Sequence, residues 1–244
     1  MCVLCGKKRE DNGGIQYETV QQKENKGATA SFQILLVAKK VFDYCPQLNS
    51  VIELGCFDGK TLDFLPNTNF YYEGYDANWE GGLDLGRENL KERGNCELFF
   101  CDNVQLFQPK RSQFDISICM ETLEHLPLEQ LEPYIQQLAK YTGKYCFVTI
   151  PNEGGIVFLT KYFIKKVILR SVPEPYTTKE ILLTVAGKMT RVKRNEGGHK
   201  GFDYKEIVEL LSKYFSVESV EGIPFRYLSR KLNFTIGIVL KRKD

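Results

Sequence analysis

The sequence predicts a doubly wound, mostly parallel α/β fold. Short apolar runs alternate with helical periodicities through the first two thirds of the chain. A glycine turn, Gly55-Cys56-Phe57-Asp58-Gly59, closes the first of those runs, and the alternation ends in two strand-like stretches with no helical pattern between them. Strands that alternate with helices form βαβ units, hence a parallel sheet covered on both faces. Right-handed crossovers restrict such a sheet to doubly wound forms.

In chain order, residues 1–27 read as a polar arm and residues 28–244 as one domain with an insertion or lid at 151–200. Apolar residues at Phe32, Leu35, Leu36, Ala38, Val41 and Phe42 recur at helical spacing and predict a helix over Ala28–Tyr44. Strands are expected at Ser50–Leu54, Phe70–Tyr75, Glu97–Cys101, Phe114–Met120 and Lys144–Ile150. Helices are expected at Lys60–Phe64, Gly82–Arg93 and Leu128–Tyr141. A further helix at Tyr204–Phe215 leads into strands at Val217–Gly222 and Phe234–Lys241, a terminal hairpin that a nicotinamide-binding domain would not need. The stretch Pro151–Lys200 fits no βα repeat, which in a compact domain marks a functional insertion.

Composition narrows the function classes. With 33 basic and 31 acidic residues the chain has no strong footprint for nucleic acid. The N-terminus lacks the apolar core of a signal peptide, and no apolar run is long enough to span a bilayer. Eight cysteines without an export signal then predict reduced thiols and a cytoplasmic location, most of them acting as small buried hydrophobes. Cys2 and Cys5 form a C-x-x-C, but no second pair completes a zinc site.

The turn after the first strand carries the chemistry. Glu53 stands two residues before Gly55, which permits a tight turn, and Gly59 lets a helix approach closely. Phe57 replaces the middle glycine of a dinucleotide fingerprint, and a carboxylate there would repel a pyrophosphate but suit a cationic ligand. Asp76, at the end of the second strand, can accept ribose hydroxyls, and Asp102, after the third, an exocyclic adenine amine. Each of these could instead cap a helix or turn. All three fall at carboxyl ends of successive strands, where open α/β sheets bind ligands.

With these motifs the chain resembles the class I, Rossmann-like S-adenosylmethionine-dependent methyltransferases from about Ser50 to Ile150, and more weakly through the hairpin. The resemblance implies a seven-stranded sheet with an antiparallel C-terminal strand, and S-adenosylmethionine as cofactor. It implies that Glu53, Gly55, Cys56 and Gly59 surround the methionine end and that Asp76 and Ala77 hold the ribose. Asp102 and Asn103 would hold the adenine, and Met120 and Glu121 would close the pocket.

After the fourth strand, Glu121, Glu124 and His125 are spaced to share one helical turn. The second of the two histidines, His199, precedes the helix at Tyr204. Two glutamates and two histidines could hold a divalent ion of the magnesium, manganese or zinc kind. His125 could equally be a general base, with Glu121 beside it, or these acids could simply favour a helix N-terminus. The segment Cys119–Leu126 is similar to ubiquinone-biosynthesis O-methyltransferases and to small-RNA terminal 2'-O-methyltransferases. In both groups the residues matching Glu121, Glu124, His125 and His199 are implicated in binding a divalent ion. Many small-molecule and glycan methyltransferases share E-x-L-E-H without a demonstrated metal, and the RNA group's usual further histidine is missing here. The expectation is therefore O-methylation of a small-molecule or glycan hydroxyl. An RNA 2'-O-methyltransferase and a non-catalytic cofactor-binding scaffold are the alternatives.

The apolar stretch Gly155–Arg170, with Lys161, Lys165 and Arg170 about a helical turn apart, reads as an acceptor lid. An interfacial helix that touches membrane or a lipid-linked acceptor is its second reading. Basic residues from Lys188 to Arg194 could attract an anionic substrate, although charge runs are usually solvated.

Overall fold

The computed structural model describes residues 33–65, 69–164, 166, 176–195 and 199–243. The expected polar arm and the Cys2/Cys5 pair lie outside the described residues. Seven strands form one sheet: β1 (Ser50–Leu54), β2 (Tyr71–Asp76), β3 (Cys96–Phe100), β4 (Phe114–Met120), β5 (Thr142–Pro151), β6 (Phe215–Ile223) and β7 (Thr235–Arg242). Their order is β3-β2-β1-β4-β5-β7-β6. Pairings from β3 through β5 are parallel, and β7 runs antiparallel to both β5 and β6. The expected doubly wound sheet and its reversed C-terminal strand are therefore present. Because β7 is antiparallel to both neighbours, β6 ends on the same edge as β1, β2, β4 and β5.

Alternate residues of each strand feed two cores. On one face Ile52, Leu54, Val148 and Ile150 pack against α3 (Leu128–Tyr141) and α6 (Tyr204–Tyr214), through Leu131, Ile135, Leu138, Ile207 and Leu211. On the other, Val51, Tyr72, Ile118 and Phe147 meet α1 (33–44) and α2 (Gly82–Leu90), through Val37, Val41, Leu83 and Leu90. A period of 2 in the strands against 3.6 in the helices makes each element bury one face. The described cysteines are free thiols, all buried except the half-buried Cys96, as expected of small hydrophobes.

Several boundaries differ from expectation. The helix expected at Lys60–Phe64 is a short 3-10 turn, Lys60–Asp63, and α2 stops at Leu90 rather than Arg93. Phe215 starts β6 instead of ending α6, because its ring is needed in the core on the α6 face. Between β5 and α6, α4 covers Gly155–Phe163 and α5 covers Thr178–Val185, the latter opened by a capping box between Thr177 and Glu180. Among the described residues no helix is long and apolar enough to cross a membrane.

Candidate active site at the carboxyl edge

The turn after β1 is built from left-handed residues: φ is 79° at Gly55, 46° at Phe57 and 73° at Gly59. A Cβ on Gly55 would stand 1.9 Å from Thr122 Oγ1, and one on Gly59 would stand 2.7 Å from Leu90 Cδ1. Glycine is thus required at both positions, for backbone sign and for space. Thr122 itself donates to the Met120 carbonyl at 2.8 Å. The turn after β1 and the turn after β4 are consequently in direct contact.

Glu53 is fully buried beneath this turn. Thr61 Oγ1 donates to it at 2.8 Å and the Tyr72 hydroxyl at 2.7 Å. Both carboxylate oxygens are thereby committed to the protein, and Glu53 acts by fixing the 3-10 turn and β2 against β1. Burial pushes its carboxyl up to about 7, against the lowering effect of the two donors. The folded state therefore favours the protonated form. Stability from this group is present below the ordinary glutamate range and is lost as pH rises through about 7. We expect the wild-type melting temperature to fall between about pH 5 and pH 8, and the neutral isostere Glu53→Gln to flatten that fall. Parallel pH slopes in thermal melts of the two proteins would contradict this.

Asp76, also buried, closes the turn from β2. Its oxygens accept from Phe57 N at 3.0 Å and Asn78 N at 2.7 Å. Burial raises its pKa, while the Phe57 and Asn78 amides pull it down. Cys56 and Ala77 lie in the same two turns, where Cys56 N donates to the Tyr75 carbonyl at 3.2 Å. Beyond β3, Asp102 is exposed and accepts from the Asn103 side chain at 2.8 Å, while Asn103 Oδ1 caps the next short turn by accepting from Gln105 N at 3.1 Å. Asp76 and Asp102 thus stand at the ends of β2 and β3 with no cationic side chain bonded to either among the described residues, while Glu53 braces the turn from below. These acceptors suit a ligand bearing hydroxyls and an amine, as the ribose and adenine of S-adenosylmethionine would require.

The expected helical turn carrying Glu121, Glu124 and His125 takes a different form. Glu121 sits at φ 48°, its N–H donating to the Thr149 carbonyl at 2.9 Å, and only Leu123–His125 form a 3-10 turn. The left-handed step lets Glu121 stay with β5 while the chain turns back over the edge, at a cost of about 1–3 kcal/mol. Glu124 and His125 are buried, with His125 Nε2 3.4 Å from Glu124 Oε1. Among the described residues neither Glu124 oxygen has a hydrogen-bond donor. His199 brings its ring to 5.0 Å from that of His125, edge to face. One ligand atom each from Glu124, His125 and His199 lies within 4.8 Å of the others. Three of the four expected metal ligands are therefore gathered, and Glu121 adjoins them. Burial, and behind it the Glu124 carboxylate, holds Glu121 well above the usual carboxylate range. Burial holds the His199 imidazole below its own. A buried carboxylate without a donor, flanked by two imidazoles, fits a divalent cation.

Two residues outside the expected set complete the arrangement. Arg194 donates to the carbonyls of Glu124 at 3.3 Å and Leu126 at 3.2 Å, pinning the 3-10 turn from the insertion side. Glu153 stands 3.7 Å from His199 Nδ1 and 2.9 Å from Lys161 Nζ, which links α4 to the cluster. Part of the Lys188–Arg194 charge run is thus structural rather than solvated.

No family model matches the chain. A ubiquinone biosynthesis O-methyltransferase from Salmonella arizonae is 29% identical over 126 residues, 51% of each chain, so this chain spans about half the length of that relative. Among solved structures, magnesium protoporphyrin IX methyltransferase from Synechocystis, with bound S-adenosylhomocysteine, superposes with a TM-score of 0.56 at 17% identity, covering 95% of this chain and 90% of that one. Small RNA methyltransferase HEN1 gives 0.60 at 16% identity, covering 98% of this chain and 27% of that one. With its sheet order and reversed last strand, the chain has the Rossmann-like fold of the class I S-adenosylmethionine-dependent methyltransferases.

Proposed function

We propose that this chain transfers a methyl group from S-adenosylmethionine to a hydroxyl of a small molecule or glycan. The observation that carries the reading is the contact between the two turns: Thr122 packs on Gly55, so the ligand turn of β1 adjoins the Glu124–His125–His199 cluster. The likeness to enzymes with related cofactors, and the carboxylate-lined edge, support the donor. Asp76 and Asp102 would take its ribose and adenine, and the Gly55–Gly59 turn its methionine end.

The sulfonium carbon is already activated, so the protein has to align an acceptor oxygen and remove its proton. His125 is the base in this reading. Glu124, 3.4 Å away, would stabilise the imidazolium that forms. Arg194 and Thr122 hold the turn that carries both. A divalent ion held by Glu124, His125 and His199, with Glu121 adjoining, would supply Lewis acidity that lowers the hydroxyl pKa. Glu153 and Lys161 would then stabilise the position of His199 from behind.

Calorimetric titration with manganese or zinc tests the metal reading without reference to turnover. We expect saturable binding that Glu124→Gln and His199→Ala each weaken by more than about tenfold. Binding unaffected by either substitution, or none in the wild type, would leave His125 as the base without metal. Methyl transfer from labelled donor to a panel of phenolic, sugar and RNA hydroxyls tests the acceptor class. Transfer confined to an RNA 2'-hydroxyl would overturn the small-molecule assignment.

A further inference from the structure

On the α1 face of the sheet, between that helix and the last two strands, lies a cavity of about 210 Å³. None of Glu53, Asp76, Asp102, Glu124, His125 and His199 lines it, so it is separate from the candidate active site. Its floor is apolar, made of Phe147 from β5, Val239 from β7 and Ile223 from β6, and Leu36 and Val37 of α1 form the near wall. Gly237 leaves part of that floor bare. It pairs with Thr149 and Glu221 inside β7 and lies outside the left-handed region, so backbone sign does not require glycine there. A glycine of this kind within a strand marks a place where another group approaches the sheet closely.

Polar groups converge on the same floor. Across the antiparallel pairs of β6 and β7, Ser219 lies opposite Val239 and Glu221 opposite Gly237, which turns both side chains toward α1. Ser219 Oγ is buried and has no hydrogen-bond partner among the described residues. A buried hydroxyl in that state is costly until a further group completes it.

Charge selects the kind of group. Lys39, Lys40 and Arg226 line the cavity against Asp43 and Glu221, which leaves one positive charge in excess. Lys40 donates to Glu221 at 2.6 Å and straps α1 to β6. Lys39 and Asp43 stand one helical turn apart on α1. Arg226 is the remaining cation. At 3.9 Å from Glu221 it is beyond hydrogen-bond reach, so its forked donors stay open to a carboxylate. The loop that carries it is braced: Asn233, fully buried, accepts from Phe225 N at 2.7 Å and donates to the carbonyls of Phe225 and Ser229 at 3.1 Å each.

We propose that this cavity binds a small amphipathic monocarboxylate that carries a second hydrogen-bonding group. The apolar body lies on the bare floor at Gly237, the carboxylate meets Arg226, and the second group meets Ser219. An apolar concavity with a few convergent polar groups is the usual form of a small-molecule site, and cavities of about 150 Å³ already hold a single ring.

The test is calorimetric titration of the full chain with 3-hydroxyoctanoate, octanoate and 3-hydroxyoctanamide. The expected result is saturable one-to-one binding of 3-hydroxyoctanoate with a Kd of about 1 mM or tighter, and weaker binding of the other two. Arg226→Gln should weaken the hydroxy acid by about tenfold and leave the amide unchanged. Ser219→Ala should erase the advantage of 3-hydroxyoctanoate over octanoate while its melting temperature stays level or rises, because the hydroxyl it removes has no partner in the fold. A serine that merely braced β6 would give a lower melting temperature. Saturating S-adenosylhomocysteine should leave the affinity for 3-hydroxyoctanoate unchanged. Absence of binding to the folded wild type overturns the proposal, as does an amide that binds as tightly as the acid. Binding indifferent to Arg226→Gln, or displaced by S-adenosylhomocysteine, overturns it as well.

Discussion

His125→Ala should lower methyl-transfer turnover by about a hundred- to ten-thousand-fold while leaving cofactor affinity unchanged. The separation follows from position. His125 lies in the 3-10 turn after β4, beside Glu124 and His199, whereas the cofactor edge runs from the β1 turn to β3. Truncating a buried imidazole removes either the base or a metal ligand, so both forms of the mechanism predict the loss. A pH profile distinguishes them. A metal-free base predicts an acidic limb of kcat/KM in the wild type that disappears in the variant. Normal turnover in the variant would remove both forms.

Asp76→Ala should weaken S-adenosylmethionine binding by about ten- to a hundred-fold. Two effects combine. The variant loses the carboxylate that would meet the ribose hydroxyls, and it releases Phe57 N and Asn78 N, which that carboxylate now holds. Asp76→Asn retains one acceptor oxygen and should lose less. Equal losses in both variants would mean that charge, rather than the hold on the turn, dominates. Equilibrium binding with circular dichroism as a control for folding separates these outcomes.

The architecture was legible where local pattern and tertiary need agree. β1 and β4 begin and end where their apolar runs do, and α3 spans the expected Leu128–Tyr141. The terminal hairpin was visible because two strands follow one another without a helix. Legibility failed where a distant partner decides. Phe215 reads as the end of a helix by spacing, yet the sheet takes it. Glu121 belongs by spacing to one turn with Glu124 and His125. Its amide instead pairs with Thr149 of β5, which forces a left-handed backbone that no local rule supplies for glutamate.

The site shows the same division. Residue types at strand ends pointed to Glu53, Asp76 and Asp102, because the edge of an open sheet follows from topology. That Glu53 gives both oxygens to Thr61 and Tyr72 depends on the pairing of β1 with β2 and on the 3-10 turn above it. Arg194 and Glu153 act across the insertion, through contacts 70 and 46 residues apart in sequence. Spacing carries no signal for such contacts.

Calorimetric titration of the wild-type chain with S-adenosylhomocysteine tests the central claim most directly. The account predicts saturable one-to-one binding that Asp76→Ala weakens and His125→Ala leaves intact. Absence of binding in a folded wild-type protein, or binding indifferent to Asp76, would contradict it.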